Sequence, residues 1–424
     1  MRERLFRARW LHPLSRTRIA GCADGGILVD AAGRVLAAGA FSTVRRAAPR
    51  AVVVNYAGRL IIPGLVDTHV HLPQLDQRGK PSQTLMTWLR DHVFPVEATF
   101  ANLHVAEAVG RRFFQQLIRH GTTTAMVHAT IHVPATALAF ELAAAAGLRV
   151  IMGKVMMDQQ TPRRLQEVTH RTLRDSEWLC AEWHGRYGGR LQYAFTPRFA
   201  PMCSETLWRE TGRLVAQSGA YVQTHLAETP EENRWMSRSF PACRDYVHLF
   251  ERTETLRPRA VFAHAIHLAP GAYRRMAKAG AAIAHCPLAN VFLKSGRMPI
   301  EWLEAVKIRY GLGTDVGAGP SLSMFAVMRH ADYLQPTRRI SPRHALYQAT
   351  LGGARALRME REIGNFAVGK WADFVVIDPH GIDATYDLST FTDDDLLGLL
   401  MYRGDQHVVE ATYVAGHRLA TDGF

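Results

Sequence analysis

Two histidines, His69 and His71, lie one residue apart at the end of an apolar run in "PGLVDTHVHLPQ", residues 63–74. In a β-strand, residues two apart share a face, so both imidazoles would point the same way. Imidazole nitrogen is a common ligand for Zn²⁺ and related divalent ions. An H-x-H pair by itself is weak support for a metal site. The prediction therefore depends on whether other segments supply further ligands.

Three more candidate ligands come late in later apolar runs: His225 in "QTHLAET", His264 in "FAHAIHL" and Asp315 in "GLGTDVG". Taken singly, each has an ordinary structural explanation, such as a hydrogen-bonded core histidine or a helix-capping aspartate. Such separate explanations are poor for the five residues together, because every one of them would lie at the end of a strand. Histidines and an aspartate with room for a water predict one catalytic divalent metal per chain, Zn²⁺ with Fe²⁺ as the alternative.

Glu228 follows His225 by three residues and would lie just beyond the same strand. A carboxylate beside an activated water is a natural proton shuttle. The alternative is an acidic residue at the start of the next helix, where the helix dipole favours negative charge. Glu231 and Glu232 are available for that lesser role. We therefore expect Glu228 to move protons.

The elements that would position these residues alternate between strand-like and helical patterns. Apolar strand candidates cover residues 60–71, 121–130, 149–158, 191–200, 221–229, 260–268, 281–287 and 308–317. Helical patterns between them include residues 102–119, 133–147, 204–218 and 270–279. This alternation predicts an α/β fold, a parallel (β/α)8 TIM-type barrel over residues 61–365. The candidate ligands would then converge at the carboxyl ends of the strands, where such barrels carry their active sites.

The two ends of the chain have a different pattern. Residues 1–60 and 366–424 contain short strand-like pieces punctuated by Gly and Asp, such as "GGILVDAAGRVLAAG" and "FAVGKWADFVVIDP". Such pieces predict β-structure joined by turns. We expect them to form one small β-sandwich domain assembled from both termini.

Composition narrows the function classes. The chain has 424 residues, 47% hydrophobic and 21% charged, which is ordinary for a globular protein. The net charge of +13 comes almost entirely from Arg residues spread along the chain, and no nucleic-acid-binding module is recognisable. A solvated surface without a nucleic-acid partner is therefore expected. No C-x-x-C pair, signal peptide or membrane-spanning stretch is recognisable, which favours free thiols, no membrane partner and a cytoplasmic location.

The ordered set H-x-H, His, His, Asp resembles the amidohydrolase superfamily, and further motifs resemble its barrel-type guanine deaminases. The resemblance covers about residues 20–420, and its pieces are "PGLVDTHVHLPQ", "WLRDHVFPVEATF", "GTTTA", "ATIH", "GKVMMD", "TPRFAPMCSETL", "VQTHLAE", "AHCP", "GLGTDVGAG", "EIGNFAVGKWADFVVID" and "VVEATYVAG". "GTTTA" would mark only the superfamily, whereas "HLPQ" together with "TPRF" points to guanine deaminases.

The resemblance implies zinc-dependent hydrolysis of guanine to xanthine and ammonia by a homodimeric enzyme of purine catabolism. The implied zinc ligands are His69, His71, His225 and Asp315. His264 would orient the attacking water or the substrate, and Glu228 would shuttle protons with help from Asp315. The residues implied to hold the purine are Gln74, Arg198 and Phe199.

The side chains suit this chemistry without the resemblance. Guanine C2 is a poor electrophile, and a proton passed by Glu228 from water to ring N3 would activate it. Gln74 can both donate and accept, which suits a purine edge. Arg198 offers a fixed fork of donors for a carbonyl oxygen, although a surface ion pair is its alternative role.

Some features depart from the family pattern, and other functions stay open. Ala289 stands where Ser is usual, His128 where an apolar or aromatic residue is expected, and Ala265 where Gly is usual. These departures concern the shape of the pocket, so a sister deaminase acting on a pterin, a triazine or an oxidised purine is the alternative. A binuclear hydrolase is disfavoured because "TPRFAP" lacks a bridging Lys. The cytidine-deaminase fold is disfavoured because the chain lacks its H-x-E and P-C-x-x-C motifs. A non-catalytic scaffold is disfavoured because it would not need the five residues at the strand ends together with Glu228.

Overall fold

The computed structural model describes residues 2–386 and 390–423. Those residues form sixteen strands: β1 (Arg4–Pro13), β2 (Ile19–Val29), β3 (Val35–Ala40), β4 (Val52–Pro63), β5 (Leu65–His71), β6 (Thr122–His128), β7 (Arg149–Gly153), β8 (Val155–Met156), β9 (Leu191–Pro197), β10 (Tyr221–Leu226), β11 (Ala260–His264), β12 (Ala282–His285), β13 (Arg309–Leu312), β14 (Phe374–Ile377), β15 (Val409–Val414) and β16 (His417–Arg418).

Eight of these strands form a nearly closed parallel barrel, which confirms the predicted fold class. The strand order is β5-β6-β7-β9-β10-β11-β12-β13, with β8 paired to β9. A side-chain hydrogen bond joins the first and last strands of the barrel: Thr68 Oγ1 of β5 donates to the Leu312 carbonyl of β13 at 2.9 Å. Beyond the strand ends, the Asp315 N–H donates to the His69 carbonyl at 2.8 Å and the His71 N–H to the Val316 carbonyl at 2.8 Å. The first ligand pair and Asp315 are therefore neighbours across the barrel seam.

Helices surround the barrel and connect its strands. They are α1 (Phe41–Ala47), α2 (Leu85–Trp88), α3 (Phe94–Thr99), α4 (Leu103–Arg119), α5 (Val133–Ala146), α6 (Thr169–Trp183), α7 (Arg186–Gly189), α8 (Glu205–Ser218), α9 (Pro230–Ser239), α10 (Tyr246–Arg252), α11 (Pro270–Ala279), α12 (Pro287–Phe292), α13 (Ile300–Ala305), α14 (Met324–Tyr333), α15 (Pro342–Tyr347), α16 (Gly353–Ala356) and α17 (Asp393–Arg403). None of the helices in the described ranges is long and apolar enough to cross a membrane.

Local sequence sets where these helices begin and end, as α8 illustrates. The Ser204 side chain accepts a hydrogen bond from the Leu207 N–H at the first turn. Gly219 follows the last turn with φ of 67°, a left-handed conformation that glycine adopts without steric cost. The predicted helix over residues 204–218 accordingly lies within one residue of the observed one.

The terminal segments form one mixed sheet of seven strands in the order β16-β15-β14-β4-β1-β2-β3. The predicted strand over residues 60–71 is wrong in one respect, because it divides between two sheets. Residues up to Pro63 belong to β4 of the mixed sheet, and the barrel strand β5 begins at Leu65. A Cβ atom at the intervening Gly64 would lie 2.1 Å from Thr123 Oγ1, so only glycine fits this crossing. The division of the chain at residues 60 and 366 stays a prediction.

A buried ion pair joins the barrel to the mixed sheet. Arg149, at the start of β7, donates from Nε to Asp373 Oδ2 at 3.1 Å, and both side chains are 2% exposed. Asp373 directly precedes β14 and also accepts from the Ala415 N–H at 2.8 Å. Removing one partner of such a pair leaves an uncompensated buried charge. The two sheets are thus held in a fixed relation below the barrel mouth.

Candidate metal centre and active site

Four side chains from three barrel strands converge at the carboxyl ends of the strands. His69 and His71 lie at the end of β5, His225 lies near the end of β10, and Asp315 follows β13 by three residues. The Nε2 atoms of His69 and His71 are 3.2 Å apart, as are those of His71 and His225. Asp315 Oδ1 lies 3.2 Å from His69 Nε2 and 3.3 Å from His71 Nε2. All candidate ligand atoms lie within 4.8 Å of one another.

The four distances of 3.2 to 3.3 Å are close to those around a four-coordinate divalent ion. Ligand bonds of about 2.1 Å in a tetrahedral arrangement place ligand atoms about 3.4 Å apart. His225 is also held in orientation from behind, since its Nδ1 lies 2.7 Å from the Arg198 carbonyl oxygen and leaves Nε2 facing inward. Such outer hydrogen bonds are typical of metal-binding histidines. The donor set therefore suits Zn²⁺ or a similar ion.

Burial and hydrogen bonding together set the protonation states that such a ligand set requires. Burial lowers the pKa of His69 to about 4, which keeps its imidazole neutral near neutral pH. Burial by itself would raise the pKa of Asp315. Hydrogen bonds from His69 and His71 outweigh that effect and hold the pKa of this carboxyl well below its usual range. Neutral imidazole and ionised carboxylate are the metal-binding forms of these side chains.

Glu228 lies beside the ligand cluster, two residues beyond β10, and is 3% exposed. Its Oε1 accepts a hydrogen bond from Ser295 Oγ at 2.7 Å, and its Oε2 lies 3.6 Å from His264 Nε2. The backbone N–H of Glu228 donates to Glu232 Oε2 at 2.8 Å. Burial raises the pKa of Glu228 above its usual value. A buried carboxyl group beside the ligand cluster is suited to take up and release a proton in catalysis.

His264 ends β11 and connects Glu228 to the ligand cluster. Its Nδ1 lies 2.9 Å from Asn290 Oδ1, and its Nε2 lies 3.8 Å from Asp315 Oδ2. Burial lowers the pKa of His264, but the nearby carboxylates of Glu228 and Asp315 outweigh that effect and raise the pKa overall. His264 Nε2 has no hydrogen-bond partner among the described residues. This nitrogen lies between the carboxylates of Glu228 and Asp315.

A second group of polar side chains lies opposite the ligand cluster. Gln74, in a 3-10 helical turn after β5, is 2% exposed, and so is Arg198, which directly follows β9. Both donate to the buried carboxylate of Glu97, Gln74 from Nε2 at 2.9 Å and Arg198 from Nη1 at 2.5 Å. The guanidinium carbon of Arg198 also lies 5.3 Å from the centre of the Phe94 ring. Arg198 is therefore a buried group with a buried counterion and not a surface ion pair.

One cavity joins both groups of side chains. The residues that line it are His71, Gln74, Leu85, Trp88, Leu89, Arg198, Phe199, His225, Glu228, Glu232, His264, Leu293, Asp315 and Ala318. Every predicted site residue except His69 lines this cavity, and His69 contacts it through His71 and Asp315. Aromatic and aliphatic side chains, such as Trp88 and Leu293, line the cavity together with the polar groups. A planar polar heterocycle matches such a cavity.

The three departures from the family pattern lie in or next to the site. The His128 ring lies 4.6 to 5.0 Å from the rings of His69, His71 and His225, and neither of its nitrogens has a partner among the described residues. Ala265 has φ of 52°, a left-handed conformation that explains why glycine is usual there. Ala289 is fully buried. None of the three takes the place of a candidate ligand.

Several polar residues with defined contacts in the site were not predicted from the sequence. They are Asp67, Glu97, Glu232, Asn290 and Ser295. Asp67, for example, is fully buried, accepts hydrogen bonds from the N–H groups of His69 and Thr314, and has a pKa raised by burial to about 7. A carboxylate inside an apolar run, as in "GLVDTHVH" or "FPVEATF", was the available signal.

The fold and the cavity define a class of protein, and comparison with known proteins identifies it. The profile of the amidohydrolase family matches residues 60–419, which is most of the chain. This chain belongs to the amidohydrolase family.

Within that family, the chain is similar to guanine deaminases. The guanine deaminase of Escherichia coli (strain K12) is 36% identical over 93% of this chain and 90% of that protein. The structure of an E. coli guanine deaminase matches with a TM-score of 0.94 and 33% identity, covering 98% of this chain and 99% of that one. A guanine deaminase from C. acetobutylicum, crystallised with guanine in its active site, matches with a TM-score of 0.91 and 26% identity over 99% of this chain and 100% of that one.

Proposed function

We propose that this amidohydrolase deaminates guanine, converting guanine and water to xanthine and ammonia. One observation carries the proposal: a single cavity holds the histidine–aspartate cluster, the buried Glu228, and the pair Gln74 and Arg198. The similarity to guanine deaminases over more than nine-tenths of the chain supports guanine as the substrate. The enzyme is a hydrolase acting on a cyclic amidine.

The proposed metal ligands are His69, His71, His225 and Asp315, and zinc is the proposed metal. A divalent ion held there would supply Lewis-acid activation, which lowers the pKa of a bound water to about 7. His264 would then orient the attacking water or the substrate, because its Nε2 lies between the carboxylates of Glu228 and Asp315.

Glu228 is proposed to carry the protons. Its carboxylate takes a proton from the attacking water and delivers it to purine N3, which makes C2 more electrophilic. The water oxygen forms a bond to C2. Glu228 then moves the remaining proton of that oxygen to the exocyclic nitrogen, the C2–N bond breaks, and the C2–O bond becomes the carbonyl of xanthine as ammonia leaves. Ser295 holds Oε1 at 2.7 Å, so Oε2, on the His264 side, is the oxygen free to exchange protons.

Gln74, Arg198 and Phe199 are proposed to hold the purine. Arg198 has donors only, so it requires an acceptor such as guanine O6. Phe199 lies edge-on to Trp235, with ring centres 5.6 Å apart, and lines the cavity with an apolar face for the ring system. A pterin, a triazine or an oxidised purine would use the same metal cluster and differ only in its contacts at this wall.

Metal content gives a first test of the proposed ligands. Purified protein is expected to contain about one equivalent of a divalent metal, and His71→Ala to lose most of it, because one of four ligands is removed. Elemental analysis measures both values. His104→Ala, in an exposed position at the start of α4, is the matched control and should keep full occupancy. Full occupancy in the His71 variant would contradict the assignment of His71.

Substrate preference tests the proposed reaction. We expect release of ammonia from guanine, with adenine rejected by roughly 10⁴–10⁵, because adenine presents an amino donor to the donors of Arg198. Steady-state kinetics with guanine, adenine, a pterin and an aminotriazine, on metal-replete protein, measure this preference. Far faster turnover of the pterin or the triazine would overturn the proposal in favour of a sister deaminase.

A cytoplasmic location, a homodimer and a role in purine catabolism complete the proposal. The five cysteines have no disulfide partners, which suits a reducing compartment. The homodimer and the metabolic role rest on the resemblance to guanine deaminases.

A further inference from the structure

Glu97 connects the two polar side chains that face the ligand cluster. It lies in α3, is 5% exposed, and accepts from Gln74 Nε2 with Oε1 and from Arg198 Nη1 with Oε2. Each carboxylate oxygen therefore has one partner. Within the described part of the chain, Glu97 is the acidic group paired with Arg198. The segment that carries Glu97 also supplies Phe94, which lies under the Arg198 guanidinium.

These contacts determine which way the Gln74 amide points. A carboxylate only accepts, and both oxygens of Glu97 do so here, so the group facing Oε1 must be the amide NH₂ of Gln74. The backbone N–H of Gly317 can only donate, and it lies 3.3 Å from the other end of the amide, which must therefore be the oxygen. Both neighbours select the same orientation. One N–H of the Gln74 NH₂ is used by Glu97, and the second is left for a ligand.

We propose that Glu97 is a positioning residue. It makes the wall of the cavity that is formed by Gln74 and Arg198 a set of hydrogen-bond donors. The inference rests on the proposed deamination of guanine and adds a determinant of its specificity. Glu97 occupies one N–H of Gln74 and one N–H of Arg198 and fixes both side chains by a shared anchor. The remaining N–H groups then present a common pattern that matches acceptors on the purine, such as O6. Glu97 acts through Gln74 and Arg198 and does not itself contact the reacting atoms.

The charge of Glu97 has a second consequence for the ligand. The Glu97 carboxylate already neutralises Arg198 before any substrate enters. The wall therefore selects a neutral ligand with acceptor atoms over an anion. Neutral guanine meets this requirement, and 2,6-diaminopurine does not, because it carries an amino group in place of O6. The two compounds share the same C2 amino group and differ in their hydrogen-bonding edge, where O6 and N1–H of guanine are replaced by an amino group and an unprotonated N1.

The test compares these two substrates in wild type, Glu97→Gln, Glu97→Asp and Glu107→Gln. Glu107 is a partly exposed glutamate of α4 that pairs with Arg111, and its variant is the matched control. Metal content and circular dichroism establish that each variant is loaded and folded. Steady-state kinetics then give kcat/KM for guanine and for 2,6-diaminopurine, and the ratio of the two values is the decisive quantity.

In Glu97→Gln, we expect kcat/KM for guanine to fall about 100-fold and the preference for guanine over 2,6-diaminopurine to fall at least about tenfold. The preference falls because an amide at position 97 can donate as well as accept, so only the Gly317 N–H is left to keep the Gln74 oxygen away from the 6-amino group. Glu97→Asp keeps the charge but is too short to hold both partners, so we expect a smaller loss with most of the preference retained. Glu107→Gln should match wild type.

Several outcomes would overturn the inference. An equal loss for both substrates in Glu97→Gln would mean that Glu97 only supports the fold, and unchanged kinetics would mean that the wall does not depend on it. If Glu97→Gln does not fold, wild-type kinetics in Glu97→Asp would overturn the inference equally. Wild type that fails to deaminate guanine would reject the proposed function itself, and the role of Glu97 with it.

Discussion

Glu228→Gln is expected to lower turnover of guanine by about 10⁴-fold or more while metal content and fold stay as in wild type. Glutamine has nearly the same size as glutamate, and it can still accept from Ser295 Oγ through its amide oxygen. It cannot take up and release a proton. Both proposed transfers, to N3 and to the leaving nitrogen, use this one carboxylate, so the loss should reach the upper end of the range for general acid–base groups.

The measurement is kcat for guanine under saturating conditions, alongside elemental analysis and thermal unfolding. Glu231→Gln is a suitable control, because Glu231 lies three residues away at the start of α9, is 61% exposed and pairs with Arg234. That variant should retain wild-type kcat. Turnover within tenfold of wild type in Glu228→Gln would place the proton shuttle elsewhere.

Arg198→Met is expected to lower kcat/KM for guanine by at least about 10³-fold with metal content unchanged, because polar recognition in buried sites discriminates by roughly 10⁴–10⁵. Methionine fills much of the same space but offers no hydrogen-bond donor. Guanine O6 would then lose its donor at a position where the Arg198 side chain is buried. Arg213→Met, an exposed arginine of α8 paired with Glu210, is the control and should behave as wild type.

A second variant keeps this test informative if the methionine variant is unstable. Breaking a buried ion pair costs about 3–5 kcal/mol, and Arg198→Met leaves Glu97 without its counterion. Arg198→Lys retains the charge and loses the planar fork, so it should fold and still show weakened recognition of guanine. Guanine kinetics unchanged in both variants would place Arg198 outside the recognition surface.

The sequence was sufficient to predict the barrel and most of the candidate site residues that line one cavity, for a local physical reason. Strands buried on both faces must be apolar along their length, so a polar residue at a strand end stands out. His225, His264 and Asp315 stand out in this way, and the structure places all three next to the cavity shared by the other predicted residues. The ends of α8 are likewise set by local sequence, namely the capping Ser204 and the terminal Gly219.

Tertiary structure alone decided features that depend on residues distant in the chain. Glu97 becomes informative only when Gln74 and Arg198, 23 and 101 residues away, are brought to its two oxygens. Ser295, similarly, contacts Glu228 across a separation of 67 residues. The division of the run over residues 60–71 between two sheets follows from the close approach of Gly64 to Thr123. Periodicity reports which face a residue occupies, whereas these contacts arise from packing between separate elements, which no local pattern encodes.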